Sequence, residues 1–199
     1  MSMKGEKTKQ VIREKAYQLF AEKGFKEVTM KDICKLTGLS RGGLYRHYES
    51  TEQIFLEIVN AFSDKQKNET FTKIEQRIPA STILEELLSK YANEMIDCEN
   101  SISLAIYEFY SNPAISKDDN SVKKQYEISK STWIELINYG INTKEFNTVN
   151  PESIFNIIIF AYQGVRMYSK LMTIDKDIPA QIMNEIKRLL LTEEVQHEK

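Results

Sequence analysis

The stretch that decides the fold runs from residue 29 to residue 48 and reads TMKDICKLTGLSRGGLYRHY. Thr29 followed by Asp32 resembles a capping box at the start of a short helix. Gly38 suits the end of that helix, and Ser40 suits the N-cap of a second one. Two short helices around a tight glycine-containing turn have the proportions of a helix-turn-helix.

A helix-turn-helix needs apolar contacts between its helices and a polar face on the second helix for the major groove. The apolar contacts are expected from Ile33, Leu36, Leu39 and Leu44, with Tyr48 as a further core residue. The polar face is expected at Arg41, Gly42, Gly43, Tyr45, Arg46 and His47. Each glycine costs a helix about 1 kcal/mol relative to alanine. The adjacent pair therefore indicates that the backbone approaches another molecule closely.

Helical periodicity continues on both sides of this stretch. A first helix carries Ile12, Ala16, Leu19 and Phe20 on one face and ends at Gly24. Later helices fit residues 51–73, 81–98, 101–111, 121–139, 151–172 and 178–192. Residues 154–160 have a β-rich composition, but their length and the preceding Pro151 favour a helix that is apolar nearly all round. We therefore expect an all-α protein of about nine helices.

Charge is distributed unevenly along the 199 residues. Residues 1–50 hold 11 Lys+Arg against 6 Asp+Glu, whereas residues 51–199 hold 16 against 23. A basic head (residues 1–50) on an acidic body (residues 51–199) indicates that only the head binds a polyanion. Chance variation of charge along a helical surface is the alternative. Two cysteines form no disulfide framework, and no apolar run is long enough to span a membrane. We expect a cytoplasmic protein without membrane contact.

The motif resembles the DNA-binding domain of TetR-type repressors. The matching segments are residues 19–25, 29–34, 38–48 and 50–55, and the resemblance extends over about residues 10–60. Two positions depart from the family pattern. Thr51 replaces a common lysine, which weakens one expected phosphate contact, and Tyr48 replaces the usual phenylalanine.

The resemblance implies a domain organisation and a function. A DNA-binding domain would occupy residues 1–50, with the helix-turn-helix at about 30–48, followed by a connecting helix at 51–77 and an effector-binding and dimerisation domain at 78–199. The expected function is a homodimeric repressor that leaves a palindromic operator on double-stranded DNA when a partly apolar small molecule binds. An activator of the same family is the alternative. No cofactor or metal is expected.

Individual contacts also carry over from the family pattern. Thr29 and Tyr45 would donate hydroxyl hydrogens to phosphates, and His47 would donate from its ring. Base edges or the sugar-phosphate backbone would lie against Arg41, Gly42, Gly43 and Arg46. The remaining expected DNA-binding residues are Lys31 and Ser40.

The C-terminal half offers weaker assignments. A ligand pocket is expected to be lined by Tyr91, Met95, Tyr110, Trp133, Ile137 and Gln163, although for any one of these residues a plain core role is the better interpretation. A self-complementary seam between protomers is expected to use Phe155, Ile158, Tyr162, Met183, Ile186 and Leu190.

Two other classes of protein are less consistent with the sequence. Glu194 and His197 have the spacing of carboxylate-bridged metal sites, but a second such motif is missing and the chain has only two histidines. We therefore expect no enzyme activity. A helical adaptor that binds only protein leaves the basic head and the paired glycines unexplained.

Overall fold

The protein is all-helical, as the periodicity predicts. The computed structural model describes residues 3–61, 63–97, 101–117, 120–193 and 195. These residues form ten helices: α1 (Met3–Lys23), α2 (Met30–Thr37), α3 (Arg41–Tyr45), α4 (Thr51–Ala61), α5 (Ser63–Glu75), α6 (Ala80–Ile96), α7 (Ser103–Tyr110), α8 (Ser121–Asn142), α9 (Pro151–Tyr168) and α10 (Ile178–Leu190). The segment expected as one connecting helix contains α4 and α5. Residue 62, between them, lies outside the described part of the chain.

The chain divides into two compact units, and their limits differ from the expected domain boundaries. Unit 1 comprises residues 1–63 and 99–124, and unit 2 comprises residues 64–98 and 125–199. The DNA-binding motif thus shares its unit with α4 and α7, which the sequence analysis assigned to the connector and to the effector domain. The physical reason is that the apolar faces of α4 and α7 complete the core under the motif.

The core of unit 1 is built around α1, which packs against α2, α4 and α7. Its buried face is the one that the spacing predicts, with Ile12, Ala16 and Phe20 fully buried. Phenylalanine rings from α1, the α1–α2 loop, α4 and α7 form a cluster with centroid separations of 4.8 to 5.8 Å. Offset and edge-to-face ring contacts of this kind add to the free energy gained by burial.

A carboxylate of α7 holds the loop that follows α1. Glu108 Oε2 accepts hydrogen bonds from the backbone N–H of Phe25 at 2.7 Å and of Lys26 at 3.1 Å. Gly24, which has a φ of 78°, precedes them, and a Cβ there would lie 2.6 Å from that same oxygen. Both the left-handed backbone and the close approach of Glu108 therefore require glycine at this position.

Unit 2 packs α6 against α9 and α10, with α8 contributing Trp133, Leu136 and Ile137 to the same core. Asn150 caps α9 by accepting a hydrogen bond from Ser153 N at 2.9 Å, and Pro151 occupies the first turn. The β-rich run at residues 154–160 is therefore helical, as its length and its preceding proline predict. Ile154, Phe155, Ile158 and Ile159 all lie on its buried side.

Candidate nucleic-acid interface

Local hydrogen bonds fix the two helices of the motif as the sequence predicts. Thr29 and Asp32 form a reciprocal capping box at the start of α2, and Gly38 ends α2 with a φ of 71°. The Ser40 hydroxyl oxygen accepts a hydrogen bond from Gly43 N at 3.1 Å and so caps α3. Because both caps lie within the motif itself, the turn between the helices is specified locally.

Apolar side chains anchor the motif in the core of unit 1. Ile33 and Leu44 are fully buried, and Leu39 is partly buried against the same core. Leu36 was expected to share this role, but its side chain is 40% exposed. Three residues advance an α-helix by about 300°, so Leu36 lies about 60° away from the inward direction of Ile33, at the rim of the buried face.

The outer face of the motif is polar and accessible. Lys31, Arg41, Gly42 and Arg46 are exposed, and Tyr45 is 42% exposed. Gly43 of α3 is half-buried, and so is His47, which follows the end of α3 by two residues. All nine expected DNA-binding residues are therefore exposed or half-buried, with Thr29 and Ser40 among the exposed ones.

The side chains of this face are also arranged relative to one another. The Arg41 guanidinium lies 5.5 Å from the centroid of the Tyr45 ring, one helical turn away. A cation over an aromatic face at this distance is attracted by the ring quadrupole. This contact limits the directions in which Arg41 extends from α3.

The two glycines of α3 have different structural environments. A Cβ on Gly43 would lie 3.2 Å from Ser40 Oγ, the atom that caps the helix. A Cβ on Gly42 would meet no atom of the described residues within 4 Å. Contacts among the described residues therefore give no reason for the missing side chain at Gly42, whereas Gly43 leaves room for the cap.

The two remaining expected contacts, Thr29 and Ser40, already have structural roles. Thr29 Oγ1 donates to Asp32 Oδ2, and this hydrogen bond, together with one from the Thr29 backbone, holds the pKa of Asp32 below its usual value. Each hydroxyl has only one hydrogen to donate. Thr29 must therefore give up Asp32 as its acceptor if it is to donate to a phosphate.

Tyr48 has a polar role that the sequence analysis missed. The side chain is 1% exposed, as expected of a core residue, but its hydroxyl donates to Glu57 Oε2 at 2.8 Å. Burial, and then this hydrogen bond to a carboxylate, raise the pKa of Tyr48. A signal was present in the sequence, because a tyrosine in a position usually held by phenylalanine brings a hydroxyl that needs a partner.

The expected ligand-lining residues separate into three groups. Tyr91, Met95, Trp133 and Ile137 lie together in the core of unit 2, where Trp133 Nε1 donates to Tyr91 Oη at 3.3 Å. Tyr110 belongs to α7 in unit 1 and stacks edge-on against Phe109, so it is not part of this cluster. Gln163 is exposed, because it follows the inward-facing Tyr162 by about 100° of helical rotation.

A polar group lies beside this aromatic cluster. The rings of Tyr91 and Tyr162 are 4.4 Å apart, and the Tyr162 hydroxyl donates to a carboxylate oxygen of Glu94. Arg166 Nη1 donates to the same hydroxyl at 2.7 Å. Burial raises the pKa of Tyr162, although the nearby charge of Arg166 acts in the opposite direction. Unit 2 thus combines aromatic rings with both signs of charge.

All six residues expected at the dimer seam are core residues instead. None is more than 6% exposed within the single chain, where they pack between α6, α9 and α10. Burial within one chain leaves none of the six exposed to a partner, because periodicity marks a residue as apolar but does not show what covers it. On the opposite side of α9, its outer face, Ile157 is 49% exposed and Phe160 is 66% exposed.

Other kinds of site receive no support from the described residues. No three His, Cys, Asp or Glu side chains within residues 3–61, 63–97, 101–117, 120–193 and 195 are grouped as a metal site would require. Glu194 and His197, the candidate metal ligands, lie outside the described residues. Across the part of the chain that the structure covers, every helix is too short or too polar to traverse a lipid bilayer.

Comparison with known proteins agrees with the arrangement of caps, anchors and exposed basic face. The model of bacterial regulatory proteins of the tetR family matches residues 12–58, and that of the tetracyclin repressor-like C-terminal domain matches residues 83–178. The protein is thus a DNA-binding transcriptional regulator of the helix-turn-helix class. It belongs to the TetR family.

Individual relatives support this assignment. The HTH-type transcriptional regulator YfiR of Bacillus subtilis is 27% identical over 145 residues, covering 70% of this chain and 68% of YfiR. The HTH-type transcriptional repressor KstR2 of Rhodococcus jostii is 25% identical over 156 residues, covering 77% and 76%. A transcriptional regulator from Saccharomonospora viridis, solved in complex with choline, shares the fold with a TM-score of 0.78 at 16% identity, covering 94% of this chain and all of that one.

Proposed function

We propose that this regulator is a homodimeric repressor that binds a near-palindromic operator in the cytoplasm and leaves it when a small molecule binds unit 2. The observation that carries the DNA contact is the outward face of α3, with exposed Arg41, Gly42, Tyr45 and Arg46 over buried Leu44. Arginine reads guanine in the major groove, and a bare backbone allows close approach. Repression is favoured over activation by the likeness to KstR2, a repressor by name.

The partner in the homodimer is a second copy of this chain, and the outer face of α9 is the surface that we propose for it. Ile157 and Phe160 are exposed on this face although both are large and apolar. Removing such surface from water gains about 25 cal/mol per Å². A two-fold axis through α9 lets the same stripe meet itself in both protomers. This surface replaces the six buried residues of the sequence expectation.

The effector site that we propose is the aromatic and polar cluster of unit 2. Tyr91, Met95, Trp133 and Ile137 supply apolar surface, and Glu94 and Arg166 supply charge beside it. Pockets of this composition suit a small, partly apolar molecule with one polar group. An effector changes DNA binding only through its different affinity for the two conformations of the regulator.

The test begins with selection of operator DNA from sheared genomic fragments by the purified full-length protein. We expect enrichment of an imperfect palindrome whose half-sites lie about 34–36 Å apart, one helical turn of DNA. Removal of the gene should then raise the transcripts next to that site, whereas a fall would support the activator. Failure to enrich any sequence above input would contradict the proposal.

A further inference from the structure

The recognition helix is short, so its orientation depends on very few contacts. It has five residues, Arg41 to Tyr45, and Leu44 is the only one that is buried. The next buried side chain is Tyr48, which follows the helix by three residues. One anchor fixes where α3 sits, but a second is needed to fix the direction in which its outer face points. Tyr48 is that second anchor.

The Tyr48 hydroxyl is held by side chains from two other helices. It donates to Glu57 Oε2 of α4 at 2.8 Å, and Arg13 Nη1 of α1 donates to it at 3.4 Å. Arg13 Nη1 also donates to Glu57 Oε2 at 3.1 Å, which closes a triangle of hydrogen bonds. Three separate elements therefore meet at one hydroxyl.

Lys9 is the fourth member of the cluster that Tyr48, Glu57 and Arg13 form. Its Nζ lies 3.2 Å from Glu57 Oε1 and 4.9 Å from the centroid of the Tyr48 ring. Glu57 thus accepts from both cations with different oxygens while it holds the tyrosine. Hydrogen bonds to charged groups are shorter and stronger than neutral ones, which gives this arrangement directional stiffness.

We infer that Tyr48 and Glu57 are positioning residues for DNA recognition, which set the tilt of α3 through the contacts with Arg13 and Lys9. The inference rests on the proposed DNA contact of α3. It extends that contact by assigning a function to the tyrosine that departs from the family pattern. Loss of the hydroxyl leaves Arg13 and Glu57 paired with each other, so the fold survives. The segment that follows α3 then loses its directional hydrogen bond. The side chains proposed to read bases therefore no longer point in the direction that DNA recognition needs.

The variant Tyr48→Phe tests this, because it removes only the hydroxyl. The probes are one duplex selected by the wild-type protein from a random-sequence pool and one scrambled duplex of equal length and composition. We expect the Kd for the selected duplex to rise about tenfold, with the Kd for the scrambled duplex and the Tm nearly unchanged. Tyr107→Phe is the matched control, since that exposed hydroxyl of α7 is in the same unit.

The double variant Tyr48→Phe/Glu57→Gln tests whether the two residues act together. We expect its ratio of scrambled to selected Kd to fall no further than that of the worse single variant. The ratio cancels the general gain in DNA affinity that follows from losing a negative charge.

Three outcomes would overturn the inference. The first is an unchanged ratio in Tyr48→Phe, and the second is a parallel rise of both Kd values with a lower Tm, which marks a merely structural hydroxyl. The third is fully additive losses in the double variant. If the wild-type protein selects no duplex from the pool, the proposed DNA contact fails first, and this inference fails with it.

Discussion

At the scale of single residues, Gly42 is the position where stability and function conflict. Glycine in a helix costs about 1 kcal/mol relative to alanine, and no atom in the part of the chain that the structure covers occupies the space where a Cβ of residue 42 would lie. This loss of helix stability falls on α3, a helix of only five residues. The DNA contact that we propose for α3 would account for this cost, because it brings DNA close to this backbone.

Gly42→Ala should therefore move stability and DNA affinity in opposite directions. We expect the Tm to rise or stay the same, because alanine favours the helix and meets no neighbour. We expect affinity for the selected operator to fall at least tenfold, because the methyl group would lie against the DNA. Thermal melts and fluorescence anisotropy measure the two quantities. Unchanged affinity would show that DNA does not approach this part of α3.

Arg46 and Tyr45 should separate base reading from phosphate contact. Arg46→Ala should weaken binding to the operator by about 1–3 kcal/mol and relax the preference at one base pair. Tyr45→Phe should weaken binding about equally on all sequences, because a hydroxyl that meets only phosphate reads no sequence. Gel-shift titrations on the operator and on its single-base variants measure both effects. Unchanged affinity and selectivity in Arg46→Ala would remove Arg46 from the contact surface.

Glu57 should make part of the stability depend on pH. Burial raises its pKa, but hydrogen bonds from Tyr48, Lys9 and Arg13 outweigh burial and hold the pKa below its usual value. A carboxyl group with a lowered pKa stabilises the fold above its unfolded pKa, and this contribution is lost as the pH falls through the folded pKa. The difference in Tm between the wild type and Glu57→Gln should thus be largest near pH 7 and shrink below about pH 4. Glu22→Gln, at an exposed position of α1, is the control.

At the scale of elements, α7 behaves as part of the DNA-binding unit although it follows α6 in the chain. Its Phe109 packs into the aromatic cluster of unit 1, and its Glu108 holds the α1–α2 loop. That loop leads directly to Thr29, the N-cap of α2. The position of α7 therefore bears on the start of the helix-turn-helix.

Glu108→Ala should loosen that loop. Two backbone N–H groups lose their acceptor, at a cost of about 1–3 kcal/mol for each group that stays buried. Hydrogen exchange of residues 24–28 should become faster, while exchange in unit 2 stays unchanged. Glu108→Gln keeps an oxygen acceptor of the same reach and should exchange more slowly than the alanine variant. Equal exchange rates of residues 24–28 in wild type and Glu108→Ala would show that Glu108 does not hold this loop.

At the scale of the whole molecule, α9 has two apolar faces with different tasks. Its inner face, which includes Phe155 and Ile158, completes the core of unit 2 within one chain. Its outer face, which includes Ile157 and Phe160, remains exposed in that chain. In the homodimer that we propose, a second protomer covers this outer face and supplies the second recognition helix.

Phe160→Glu should convert the protein to a monomer. The substitution places like charges opposite each other across a two-fold axis and removes a large apolar anchor. Light scattering at micromolar concentration should give half the wild-type mass, and binding to a full palindrome should fall to the level of a half-site. Tyr107→Glu, which adds the same charge at another exposed aromatic, should remain a dimer. A dimer in Phe160→Glu would exclude this face as the interface.

Prediction from the sequence succeeded where the signals were local. The capping box at Thr29, the left-handed Gly38 and the cap at Ser40 involve residues no more than three positions apart. Local spacing also predicted which side of α1 is buried and that residues 154–160 are helical. It gave the wrong environment for Leu36, since this residue lies about 60° away from the inward direction of Ile33.

Long-range packing explains the remaining differences. Tyr110 was expected in the ligand pocket together with residues of α6 and α8, but α7 and its Tyr110 belong to unit 1. The six expected interface residues and the two exposed ones of α9 have the same apolar character. Periodicity identifies a face as apolar, but it does not reveal whether that face meets the same chain or another one.

The amino-acid order alone determined the helices, their caps and the DNA-binding motif, because these depend on hydrogen bonds and spacings within a few residues. Only the tertiary structure decided which apolar face of α9 is buried, which unit receives α7, and that Tyr48 meets Glu57, Arg13 and Lys9. Those outcomes depend on contacts between residues 9 to 83 positions apart. Such contacts form only when separate helices pack against one another.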